Sequence, residues 1–270
     1  MSVTTAARGR DFRVGEVLGR SWRILAGSPL FFLGVPLLIY AAAFAVMFVL
    51  AFALAGADVG GAATAVIFLA IVLAVTLNML GQAVLLVGAF QRLRGEPVRA
   101  GAALRQALGR FVPLLGLVLL FGLSLTIVGF ISVWVLSAFM SLLGILALVL
   151  APAFFLAIVV LLVMWAVIVP ACLAEGLGPI ESMIRSAGLT QGHRWKVLGI
   201  ILLLVIAYVA ASEITDAVLA PISPVLSSLA ALAWVAAWTA YWNCAVTMMY
   251  HDLRVAKEGV DTREIAAVFD

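Results

Sequence analysis

The side chains best equipped for chemistry are few and scattered: two histidines, His193 and His251, and two cysteines, Cys172 and Cys244. Metal-assisted hydrolysis needs several carboxylates and imidazoles converging on one ion. Neither histidine has a His-x-x-x-His partner or an acidic cluster near it. No glycine-rich phosphate loop and no Gly-x-Ser-x-Gly elbow occurs, and the closest Cys and His, Cys244 and His251, are seven positions apart. Both histidines stand at the ends of apolar segments, beside Arg194 and Asp252, where head-group or capping contacts are the expected use of an imidazole. No catalytic, cofactor-binding or metal-ligating residue is therefore expected, and an enzyme is not expected.

Polar side chains inside apolar runs carry more information, because away from water each must find a partner. Asn78 and Gln82 lie one helical turn apart, and Gln82 precedes Arg92 by ten residues, about 15 Å along a helix. Asn243 precedes Arg254 by eleven and so reaches nearly the same depth. Asn78, Gln82 and Asn243 form a candidate intramembrane polar level. They either hydrogen-bond between packed helices, at about 0.6 to 2 kcal/mol each, or line a cavity. Trp234, Trp238 and Trp242 follow at i, i+4 and i+8 and make one aromatic stripe, suited to packing or to an apolar ligand groove. Trp22 and Trp195, flanked by Arg and Lys, sit where interfacial anchors belong.

The elements that hold these residues follow from composition. Of 270 residues 66% are apolar and 11% charged, against roughly 45 to 50% and 25% in a soluble domain. Phe111 to Ala174 contains no Asp, Glu, Lys or Arg. Such a chain belongs in a bilayer, where about 20 apolar residues span, and a soluble enzyme is excluded. Apolar segments at about 29–55, 63–90, 111–136, 146–173, 195–212 and 225–250 predict six transmembrane helices. The two cysteines imply neither a disulfide framework nor structural metal. The arginine-rich first 28 residues lack a signal-peptide core, so the first span is expected to remain as an anchor.

Six spans place all 16 Lys and Arg on one face of the membrane with ten acidic residues, a balance of +6. Only Asp58, Glu213 and Asp216 lie on the other face. The positive-inside rule makes the basic face cytoplasmic, with both termini inside. Its candidate head-group contacts are Arg20, Arg23, Arg105, Arg110, Arg194 and Lys196.

Each basic junction holds a short amphipathic stretch ahead of a transmembrane hairpin. Arg13, Glu16, Arg20 and Arg23 oppose Val14, Val17, Leu18, Ser21 and Leu25; Arg99, Gln106 and Arg110 oppose Leu104, Leu108 and Phe111; Glu181 and Arg185 oppose Ile180, Met183, Ile184 and Ala187. These stretches are expected to lie in the interface with their apolar faces in the bilayer. Anchors at Val14, Val98, Ile180 and Val260 are 84, 82 and 80 residues apart. One membrane domain over 1–270 is thus expected, built of parallel repeats at about 14–97, 98–179 and 180–259, with 260–270 as a cytoplasmic tail.

The segment EGLGPIESMIRSAGLTQGHRWKVLG at 175–199, with GEVLGRSWRIL at 15–25 and YHDLRVAKEG at 250–259, resembles the integral membrane domain attached to some bacterial glycerophosphodiester phosphodiesterases and also found standing alone. The resemblance covers nearly the whole chain and implies a six-span architecture. The hydrophilic phosphodiesterase domain is not among these residues, so its hydrolase activity is not expected here. The sequence points instead to a non-catalytic scaffold or accessory subunit of a bacterial-type cytoplasmic membrane. Its expected partners are the lipid bilayer and its anionic lipids, together with a membrane protein or further copies of itself, and no nucleic acid. A passive or lipid-handling permease is the rival reading.

Overall fold

A computed structural model describes residues 12–54, 61–143 and 145–258. The described residues form ten helices: α1 (Val14–Gly27), α2 (Pro29–Leu54), α3 (Gly61–Leu93), α4 (Ala100–Gly109), α5 (Phe111–Leu143), α6 (Ile145–Met164), α7 (Ile168–Glu175), α8 (Pro179–Thr190), α9 (Arg194–Leu219) and α10 (Pro224–Glu258). Six stretches are long and apolar enough to cross a membrane, with α6 and α7 forming one of them; the chain is a multi-pass membrane protein. Arg8, Arg10, Asp58, Arg263 and the 260–270 tail lie outside the described residues.

Three short helices, α1, α4 and α8, fall where amphipathic stretches are expected, and each leads into a hairpin: α2/α3, α5/α6–α7 and α9/α10. Proline fits the first turn of a helix, where no donor is lost. Accordingly Pro29 opens α2 directly after Ser28, and Pro179 opens α8. In lipid, helices associate where small residues let backbones close in. A Cβ on Gly88 of α3 would stand 2.3 Å from the Phe31 ring of α2, and one on Gly81 would stand 2.0 Å from Ile39 Cδ1.

The larger core cluster gathers in the basic half of the bundle around α10, and a second lies between α3, α4, α5 and α7. From Asn243 to Tyr250 every residue is buried, whichever way it points. A helix enclosed on all sides is a central one. Here α1, α2, α3, α7, α8 and α9 all pack against it. The opposite halves of the spans turn Phe44, Phe48, Phe130, Trp134 and Phe155 outward, the inverse of a soluble surface and the natural one in hydrocarbon.

Two expectations are corrected. The apolar face of α1 does not enter the bilayer: Val17, Ser21, Ile24 and Leu25 are buried, with α1 laid along α10. The α8 helix, by contrast, keeps Ile180 and Ile184 of its expected apolar face exposed and buries Ser182, Ser186, Leu189 and Thr190. The fourth span is also not continuous. Pro170 lacks an N–H and crowds the carbonyl four residues earlier, and the helix breaks over residues 165–167. Ile168 N–H donates to Trp165 O at 3.2 Å instead of to Met164 O. Serine and threonine can satisfy a carbonyl freed in this way. From α8, Ser186 Oγ donates to Met164 O at 3.0 Å and Thr190 Oγ1 approaches it at 3.3 Å.

Candidate functional site

Two regions collect the polar and aromatic residues singled out above: a mid-span level between α2, α3, α9 and α10, and a charged cluster at the basic end of α10. At mid-span, Gln82 Nε2 donates to Asn78 Oδ1 at 2.6 Å, and Asn78 Nδ2 meets the Tyr40 hydroxyl at 3.4 Å. That hydroxyl shares a 2.7 Å hydrogen bond with Thr239 Oγ1. Asn243 Nδ2 donates to Thr239 O of its own helix at 2.8 Å. Gln82 and Asn243 do not bond each other. Both line a cavity of about 350 Å³ together with Val205, Trp238, Thr239 and Trp242.

The bond that joins α2 to α10 is therefore made by Tyr40 and Thr239, which the sequence reading missed. A tyrosine hydroxyl in the middle of an apolar run was the available signal. Tyr40→Phe is expected to lower stability in detergent by about 0.6 to 1.7 kcal/mol, the range of interhelical bonds in lipid, as read by thermal unfolding. Gln82→Leu should cost less, because the one bond its side chain makes among the described residues stays on α3.

The tryptophan stripe faces α9. Trp238 lies 4.9 Å from Tyr208 and 5.5 Å from Trp242 between ring centroids, and Trp234 Nε1 donates to Thr215 Oγ1 at 2.8 Å. Packing does not fill the seam. On the other flank of Trp238, a second cavity of about 330 Å³ runs between Trp22, Leu33, Leu204, Tyr208, Trp234 and Tyr241.

At the basic end, Arg185 of α8 reaches two elements at once. Its Nε donates to both oxygens of Glu175, at 2.8 and 2.9 Å, and a terminal nitrogen pairs with Glu258. Tyr250 donates to Glu175 at 2.6 Å, and Arg254 Nε donates to Glu258 at 2.9 Å. Burial opposes the Arg185 charge, but hydrogen bonds to Glu258 and Glu175 and their negative charges outweigh it and hold the guanidinium above its ordinary pKa. A second pairing ties α1 to α10: Arg20 donates to Asp252 at 2.9 Å, and His251 Nδ1 lies 3.0 Å from the same carboxylate. The His251 side chain is only 11% exposed, so it faces protein rather than head groups. His193 is half-buried, with Phe12 edge-on at 5.8 Å.

The six candidate head-group contacts divide in two. Arg20 is held by Asp252 and Glu16, and Arg110 caps α7 by donating to Gly176 O at 2.9 Å. Arg23, Arg105, Arg194 and Lys196 are exposed and make no ion pair with the described residues. Arg194 and Lys196 occupy the first turn of α9, the end at which the helix dipole disfavours cations, so helix stability does not account for them. Both cysteines are buried and unpaired, and no group of three His, Cys, Asp or Glu among the described residues is placed to hold a metal ion. Compared with known protein families, with curated protein sequences and with solved structures, the chain matches none.

Proposed function

We propose that the chain is a non-catalytic scaffold or accessory subunit of a bacterial-type cytoplasmic membrane. In this reading its basic end and both termini are cytoplasmic, and it holds anionic lipid while its bundle engages a membrane partner. The observation that carries it is the division of the basic residues. Arg20, Arg110 and Arg185 bind the bundle together, whereas Arg23, Arg105, Arg194 and Lys196 stand free beside exposed Trp22, Leu104, Leu108 and Trp195. Cations alternating with aromatic and aliphatic side chains suit the boundary between head groups and acyl chains.

Three parallel repeats are part of the same proposal. The support is cyclic packing: α4 lies on α3, α8 on α7, and α1 on α10, so each collar helix meets the second span of the preceding unit. Each collar buries an i, i+4 pair: Val17 and Ser21, Ala103 and Ala107, Ser186 and Thr190. The second spans of units one and two both end at a glycine of positive φ, Gly95 and Gly176. The proposed likeness to the glycerophosphodiester phosphodiesterase membrane domain concerns this architecture alone.

The test is reconstitution into vesicles of mixed anionic and zwitterionic lipid. Glutamate at Arg23, Arg105, Arg194 and Lys196 should lower the preference for anionic lipid about fivefold per site at low salt, with an unchanged melting temperature. Glutamate at Arg20 should instead lower the melting temperature. An unchanged lipid preference in the fourfold variant would overturn the reading. The permease alternative draws on the cavity at Gln82 and Asn243, whose lining offers amides to a passing polar group.

A further inference from the structure

The seam between α9 and α10 is lined by rings that keep their polar atoms away from it. Trp234 directs its N–H to Thr215, and Tyr241 directs its hydroxyl to Leu18 O at 3.1 Å. What remains facing the cavity of about 330 Å³ is ring carbon from Trp234, Trp238 and Tyr241, with Leu204 and Ala207 from α9 and Trp22 across the basic end. Its occupant is therefore apolar, which excludes sugars, nucleotides and ions. A partner helix is about 10 Å across with its side chains and is too wide for a space of this size, but an unbranched alkyl chain is not.

The position also selects the source. The cavity lies along spanning helices, from Trp22 at the basic end to Trp234, and Leu204 stands eight residues beyond Lys196 on α9, about 12 Å along the helix. A chain seated in the seam thus has its polar end level with the start of α9 and with α1. There Arg194, Lys196 and Arg23 carry charge without an ion-pair partner among the described residues, and Trp22 is exposed.

We infer that the α9/α10 seam binds one acyl chain of an anionic phospholipid from the leaflet at the basic end, with the phosphate held by Lys196, Arg194 and Arg23. The occupancy of the seam stands on its lining, and only the choice of an anionic head group rests on the function proposed above. Trp22 closes the seam at the head-group level, and Trp238 separates the chain from the polar cavity at Gln82 and Asn243.

The test uses the full chain purified in detergent, stripped of lipid, and offered phosphatidylglycerol or phosphatidylcholine with identical acyl chains. Retained lipid is counted by native mass spectrometry. The wild type should keep one phosphatidylglycerol. Ala207→Leu with Ala237→Leu fills the seam and should lose that lipid while melting at or above the wild-type temperature. Should this pair fail to fold, Ala207→Leu alone gives the same reading. Arg23→Glu, Arg194→Glu and Lys196→Glu together should keep one lipid per chain but lower the preference for phosphatidylglycerol about fivefold per site. A folded, seam-filled variant that retains its lipid overturns the inference. Loss of lipid on filling, with no preference between head groups in the wild type, overturns the anionic choice and the scaffold reading together and leaves a neutral-lipid seam.

Discussion

Arg185→Leu is expected to lower the unfolding free energy by about 3 kcal/mol, as removal of one member of a partly buried ion cluster does. The Arg185 side chain is 29% exposed, and its guanidinium stands between the side chains of Glu175, 16% exposed, and Glu258, 28% exposed. Without it two carboxylates share a poorly hydrated site with only Arg254 to compensate. Three helices lose their common partner, because Glu175 ends α7, Glu258 ends α10 and Arg185 belongs to α8. Arg185→Lys should recover only part of the loss, since one ammonium cannot reproduce a planar fork that serves two carboxylates. Thermal unfolding in detergent reads both variants. A leucine variant as stable as the wild type would remove the cluster from any account of the fold.

Ser186→Ala with Thr190→Val should cost about 1 to 3 kcal/mol, the penalty for leaving a buried carbonyl without a donor. The carbonyl is Met164 O, freed by the break ahead of Pro170 and reached from α8 at 3.0 and 3.3 Å. The mechanism predicts its own rescue. Pro170→Ala lets Ile168 N–H return to Met164 O, so adding it to the double variant should restore most of the loss, while in the wild-type background it should change little. The coupling between the two changes, read from a double-mutant cycle of melting curves, is the decisive quantity. Additive effects would mean that α8 does not splint the broken span.

The six spans and the three short helices could be read from the sequence because hydropathy and charge are local: the anchors at Val14, Val98 and Ile180 fall within two residues of the starts of α1, α4 and α8. The burial of α1 could not. Val17 and Leu25 suit lipid and protein equally, and nothing in their spacing says that α10 will cover them. The charged cluster was hidden for the opposite reason. Glu175, Arg185 and Glu258 each look like ordinary rim charges, and only folding brings residues 73 positions apart together. Pro170 is in plain view in the sequence, yet an apolar run from 146 to 173 reads as one helix unless the clash of Pro170 with the Ala166 carbonyl is followed to the break at 165–167 and the Met164 carbonyl left there. Gln82 and Asn243 line one cavity, while the link between α2 and α10 passes through Tyr40 and Thr239.

The central position of α10 sets the order in which this protein can be completed during synthesis. Helix α1 is the first described helix to leave the ribosome, and its partner is the last. Until α10 is inserted, α1 lacks its main packing partner, Arg20 has no Asp252, and the first two hairpins lack the helix that both pack against. Insertion and folding are therefore partly separate stages here: the core that surrounds α10 waits in the bilayer for the sixth span. Chains that stop short of α10 keep the smaller core between α3, α4, α5 and α7 but lack the larger one, and should be the substrates on which membrane quality control acts.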